Sequence, residues 1–260
     1  MIQLSAEAII KQQARAALKH NHVRAIIALI ITLIPLYMID GTTTVISCAV
    51  AKAVPDNETM QGILVYGLGY TAEFVIGFML SPVINGYIRA FYRNGYTHDM
   101  DLKDLFYYFE NGRYAKTLGL NIRFIIRMLL PMLLLYLPLI VYEAVCSYMG
   151  GDFYGSVIYC DFFFLLAVLS TVTTTLYSLK YFTVFTVCVD NENLMPNGVF
   201  AYSKYIMKNK TGSAAKLIFS FTPWLLLCLL ILPMLYVIPY MTQSLCIAAK
   251  WMTKATFEVE

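Results

Sequence analysis

The chain has 260 residues, of which 59% are hydrophobic and only 13% charged, with a formal net charge of +3 and a mean hydropathy of +0.65. A water-soluble domain wets its surface with about 25% charged residues, so this composition excludes an ordinary soluble fold and calls for lipid against much of the exterior. So small a net charge also argues against nucleic acid as a partner.

In chain order, Ser5 opens a helix over residues 5–19, with Ala6, Ile10, Ala14 and Ala17 on one face and Lys11, Arg15 and Lys19 on the other. Crossing a bilayer takes about 20 apolar helical residues, and the first such run covers 25–50. Ala49-Val50-Ala51 resembles a signal-peptide cleavage site. The basic region before it is too long, however, and Asp40-Gly41-Thr42-Thr43-Thr44 separates it from the apolar run, so an uncleaved span is the better reading. A second span covers 62–88. A short amphipathic helix is expected over 101–110, with Leu102, Leu105, Phe106 and Phe109 at helical spacing and Asp101 as its N-cap. The third span, 124–142, carries Pro131 and Pro138, and the fourth, 157–189, is longer than a crossing needs. Asn197 is the expected cap of a loop helix over 197–208, with Val199, Tyr202 and Ile206 on one side. The last apolar stretch divides into 214–232 and 236–252, with a reversal between Pro233 and Pro239; one broken or re-entrant helix is the alternative. The reading is an all-α, polytopic membrane helix bundle of about six transmembrane helices, one membrane domain over 1–260.

Basic residues resist translocation and collect in cytoplasmic loops. Eighteen of the 19 lie before the first span, between the second and third, between the fourth and fifth, in the tail, or at the span ends bordering these segments, leaving Lys52 outside. Both termini are therefore expected in the cytoplasm. The three basic segments share a plan: a short amphipathic helix, a polar turn, then the next span. This suggests three repeated hairpins. Such helices can lie among anionic lipid headgroups, with Lys103, Arg113, Lys204 and Lys208 as candidate contacts. They can equally be connecting helices packed under the bundle.

An ordered series of short motifs runs through nearly the whole chain. It comprises Ser5 with Ala14-Arg15-Ala16-Ala17-Leu18-Lys19, Ser81-Pro82 with Gly86-Tyr87, and Asp101-Leu102-Lys103-Asp104-Leu105-Phe106. It continues with Ala201-Tyr202-Ser203-Lys204, Pro223-Trp224 and Ile238-Pro239-Tyr240. In this series the chain resembles the bacterial integral-membrane family catalogued as domain of unknown function 975, departing from it in a longer, more aromatic stretch before Gly150-Gly151. The resemblance implies a multi-pass protein of the bacterial cytoplasmic membrane and supplies no substrate or catalytic residue.

No reactive constellation stands out. Cys48, Cys146, Cys160, Cys188, Cys228 and Cys246 form no C-x-x-C pair and read as buried, inert thiols, with a Cys146–Cys160 bridge left open by spacing alone. His20, His22 and His98 offer no convergent metal ligands, and there is no phosphate-binding loop or nucleophile elbow. No cofactor and no enzymatic activity are expected. Glu73 is the exception, because a carboxylate near the middle of a span is costly against lipid. It belongs to a stripe of Gly69, Gly77 and Ser81, a spacing that marks helix–helix contact. Its candidate partners are Thr171, Thr174 and Ser178 on the fourth span, and it is either an ion-coupling site or a protonated, hydrogen-bonded lock. Two functions follow: a scaffold, sensor or modulator whose partners are the bilayer and other membrane proteins or a second copy, or a small transporter working through Glu73.

Overall fold

The computed structural model describes residues 6–53, 58–110, 112–149, 157–228 and 230–257, and every regular element among them is helical. The order is α1 (Ala6–Leu18), α2 (His22–Ala53), α3 (Glu58–Thr97), a 3-10 helix (Leu102–Phe109), α4 (Arg113–Met149) and α5 (Val157–Ser178). A 3-10 turn (Leu179–Tyr181) leads into α6 (Val184–Asp190), α7 (Pro196–Met207), α8 (Thr211–Phe219), α9 (Thr222–Leu227) and α10 (Ile231–Phe257). Three stretches are long and apolar enough to cross a membrane: Leu64–Thr97, Asp161–Asp190 and Leu232–Thr256. Two bent pairs raise this to five, α1 with the start of α2 at 93° and the two halves of α4 at 40°. The fifth expected span, 214–232, is instead two short helices, α8 and α9.

The helices outlast the apolar runs that announced them. α3 continues from the expected end at 88 to Thr97, and α4 begins at Arg113 rather than 124. These extensions carry basic residues and meet at one end of the molecule. Asn21 at the start of α2 donates to His98 O just past α3, at 2.9 Å. Lys250 on α10 donates to Gly95 O at 3.1 Å, and Lys210 before α8 donates to Met252 O at 2.7 Å. Lys116 on α4 donates to the Glu192 carbonyl beyond α6.

Burial follows the same division. One apolar cluster joins Ile10 and Leu18 of α1, Ala28 of α2, Phe91 of α3 and Tyr240 of α10; another joins Leu120, Tyr181, Val187, Phe200 and Ile206. Both sit at the basic end. Towards the other end, α3, α4 and α5 leave large apolar side chains such as Phe74, Leu134 and Phe164 more than half exposed. Only 11% of the most apolar part of Asp161–Asp190 is buried, so lipid must solvate the rest.

Three local expectations need correction. The segment after Asp101 is a 3-10 helix, in which residues i and i+3 eclipse. Leu105 and Tyr108 are therefore buried, while Phe106 and Phe109 are 50% and 38% exposed. Asp101 does cap it, accepting from Lys103 N at 2.9 Å. The helix lies so close to α3 that a Cβ on Gly86 would sit 2.1 Å from Leu105 O. Second, α7 starts after Met195, which makes no side-chain cap, with Pro196 in its first turn, where a missing N–H costs nothing; Asn197 instead accepts from Arg127 at 3.2 Å. Third, the last helix break precedes Ile231, and α10 runs through both Pro233 and Pro239.

Candidate functional site

The densest polar cluster gathers around Arg89, which projects from the basic half of α3 and is 9% exposed. A guanidinium this buried needs compensating oxygens. Its Nε donates to Asp104 Oδ1 at 3.2 Å and its terminal nitrogen to Glu192 Oε1 at 2.8 Å. Arg93, one turn on, donates to the same Asp104 oxygen at 2.8 Å. Tyr107 lies 3.5 Å from the Arg89 guanidinium and 4.0 Å from that of Arg113, measured to the ring centroid, and its hydroxyl donates to Glu192 Oε1 at 2.6 Å. Partial burial alone would raise the Glu192 carboxyl. The Tyr107 and Arg89 hydrogen bonds and the charges of Arg89 and Arg113 outweigh it and hold the group below the usual carboxylate range. Burial and the bond to Glu192 push the Tyr107 phenol up.

Beside this cluster opens a pocket of about 200 Å³, lined by Tyr107, Tyr108, Arg113, Lys116, Thr117 and Glu192 among others. Arg113 and Lys116 form no ion pair among the described residues. The pocket thus carries two cations, hydroxyl donors and the Glu192 carboxylate, which is already bonded to Arg89 and Tyr107, so the two cations remain a donor set for an anionic oxygen.

Two amide networks fix the cluster's surroundings. Asn21 Nδ2 donates to Asn94 Oδ1 at 2.9 Å, Asn94 Nδ2 to Gln243 Oε1 at 2.8 Å, and Gln243 Nε2 to Phe91 O at 3.1 Å. Asn94 and Gln243 are fully buried, and this chain of bonds joins the α1–α2 corner to α3 and α10. Asn85 donates to Asn121 Oδ1 at 3.0 Å and Asn121 to Ser81 Oγ at 2.7 Å, tying α3 to α4. Neutral amides whose hydrogen bonds are met hold structure and carry no proton.

The residues singled out in the sequence disperse. Glu73 is half-buried on α3, near the buried Gly69 and the half-buried Gly77 and Ser81. Thr171, Thr174 and Ser178 lie on α5, which packs on α4, whereas the main neighbour of α3 is α2. Thr171 donates to Ala167 O at 2.8 Å and Ser178 to Thr175 O at 2.7 Å, and the buried Thr174 hydroxyl has no partner among the described residues. Of the four basic candidates, Arg113 lines the pocket; Lys103, Lys204 and Lys208 are exposed and do not. Cys246 is buried and Cys188 and Cys228 half-buried, but Cys48 is exposed on α2, where its small thiol needs no shelter from lipid. The side chains of Cys146 and Cys160 lie outside the described residues. Arg89, Tyr107, Lys116 and Glu192 had not been singled out. Lys116 falls three residues after Arg113, on the same helix face, and that was the available signal. Glu192 offered none.

The family profile described as "Protein of unknown function (DUF975)" matches residues 4–253, and the chain belongs to that family. No curated protein and no solved structure is significantly similar to it.

Proposed function

We propose that the chain is a non-enzymatic scaffold or modulator of the bacterial cytoplasmic membrane, which uses its basic end to engage anionic lipid headgroups. The observation that carries this reading is the placement of order. Both apolar clusters, the buried ion pairs and the Arg113–Lys116 pocket lie at one end, while the opposite halves of α3–α5 offer lipid a nearly bare apolar surface. The basic end is cytoplasmic by the distribution of Lys and Arg. Three excursions leave it and return, α2–α3, α4–α5 and α8–α10, the last too short on its outward leg for a full crossing and so re-entrant. Both termini then lie in the cytoplasm. The short helices α1 and α7 and the 3-10 helix bind this end together from below, with Arg113 and Lys116 at the level of the headgroups.

The test compares thermal unfolding in nanodiscs of zwitterionic lipid with discs containing phosphatidylglycerol. The wild type is expected to melt higher in the anionic discs, and Arg113→Gln with Lys116→Gln to lose most of that gain. Lys103→Gln with Lys208→Gln removes the same charge from exposed positions and is expected to cost less. Equal gains in all three proteins would overturn the proposal.

A further inference from the structure

One helical turn from Arg89, towards the apolar end of α3, the surfaces of α3, α6 and α10 leave a pocket of about 360 Å³. That volume is within the roughly 300–1,000 Å³ of small-molecule sites. Its walls are mainly apolar, with Ile84, Ile88, Phe185 and Leu245 among them, and no charged residue lines it. Ile84 is 43% exposed and Ile88 and Leu245 are half-buried, so the pocket opens outward between two helices apolar enough to cross a membrane.

The polar groups in the lining are few and neutral. Thr242 gives its proton to Ile238 O at 3.0 Å and Thr186 to Thr183 O at 3.0 Å. Tyr87 differs from both: it is only 6% exposed, and its hydroxyl makes no hydrogen bond of normal geometry among the described residues, the neighbouring Thr242 hydroxyl offering only a weak one. A buried O–H without an acceptor is costly, and a ligand oxygen would remove that cost. An ionised carboxylate or phosphate would be left uncompensated in this lining, whereas a neutral ester carbonyl suits it. Along the same two helices, α3 and α6, a second hollow of about 310 Å³ lies towards the basic end, lined by Arg89, Arg93, Tyr96 and Thr97 and by Asp190, whose carboxylate accepts from the Tyr92 hydroxyl. The Arg93 side chain there is 48% exposed.

We propose that this groove holds a single phospholipid from the bilayer. One acyl chain fills the apolar pocket, the Tyr87 hydroxyl donates to its ester carbonyl, and the phosphate lies towards Arg93. The proposal is separate from the Arg113–Lys116 pocket and does not need an anionic headgroup.

The experiment is native mass spectrometry of the full chain released from nanodiscs made of one zwitterionic phospholipid of known mass. The wild type is expected to keep one lipid under activation that strips the loosely held annulus. Tyr87→Phe preserves shape and is expected to weaken retention about fivefold, the worth of one ordinary net hydrogen bond. Ile84→Trp, at the half-exposed mouth, places an indole across the entrance and is expected to abolish retention. Thermal unfolding of each variant checks folding, and if Ile84→Trp fails to fold, Tyr87→Phe decides. A wild type that sheds all lipid together with the annulus, or folded variants that retain lipid as the wild type does, would overturn the proposal. Because the lipid is zwitterionic, neither result bears on the anionic-headgroup reading.

Discussion

Arg89 and Glu192 stand 103 residues apart in sequence, yet their side chains meet at 2.8 Å, with Tyr107 joining from a third element. This contact pins the loop after α6 to α3 and to the 3-10 helix. The Glu192 carboxyl is held below its ordinary value of 4.5, so its ionised form favours the folded state. That stability is present above the unfolded pKa and is lost as pH falls through the lower folded value. Thermal unfolding followed from pH 7 downward should therefore show Glu192→Gln melting below the wild type at neutral pH. The gap should narrow below about pH 4.5 as the wild-type carboxyl protonates. A gap that stays constant across the range would show that the charge of Glu192 does not support the fold. At this scale the sequence was only partly legible. Arg89 could be read as a basic residue at a span end, because charge placement is a one-dimensional signal. Its pairing with Asp104 and Glu192 is a product of tertiary packing and leaves no spacing to read. Arg113 was found for the right property, its positive charge beside a turn, while its pocket partner Lys116 went unnoticed one helical turn away.

The contact between α3 and the 3-10 helix depends on Gly86. An added Cβ would fall 2.1 Å from Leu105 O, and a backbone oxygen cannot swing aside as a flexible side chain does. Gly86→Ala should cost about 2–3 kcal/mol through overpacking, read as a lower unfolding temperature in detergent. Gly67→Ala, where a Cβ meets nothing within 4 Å, is the control and should leave stability unchanged or slightly higher. Similar behaviour of the two variants would remove the close approach from the account. Element by element, the sequence announced helices well and their kind less well. Asp101 was a legible cap because capping is local. The 3-10 winding was not, since Leu102, Leu105 and Tyr108 fit a three-residue period as readily as Leu102, Leu105, Phe106 and Phe109 fit an α-helical one. The prolines misled in an instructive way. Pro223 lacks the N–H that would bond Phe219 O, and α8 ends at Phe219. Pro233 falls in the first turn of α10, where that N–H is not needed, so the helix break lies before it.

For the whole molecule, the apolar runs and the clustered basic residues pointed to an all-helical membrane protein, because bilayer thickness and charge translocation both act on linear sequence. The count of six spans was less secure. The run 214–232 has the composition of a crossing but folds as two short helices, and apolar length alone does not separate a span from a re-entrant pair. The central claim is that α2, α4 and α8 start, and α3, α6 and α10 end, on one cytoplasmic face that carries the ordered part of the protein. Single cysteines at the exposed positions Lys103, Lys208 and Lys254, in a cysteine-free background, test it most directly with a membrane-impermeant thiol reagent. All three should label in inverted vesicles and none in intact cells. Labelling of any one from the outside of intact cells would contradict the shared face and the functional reading built on it.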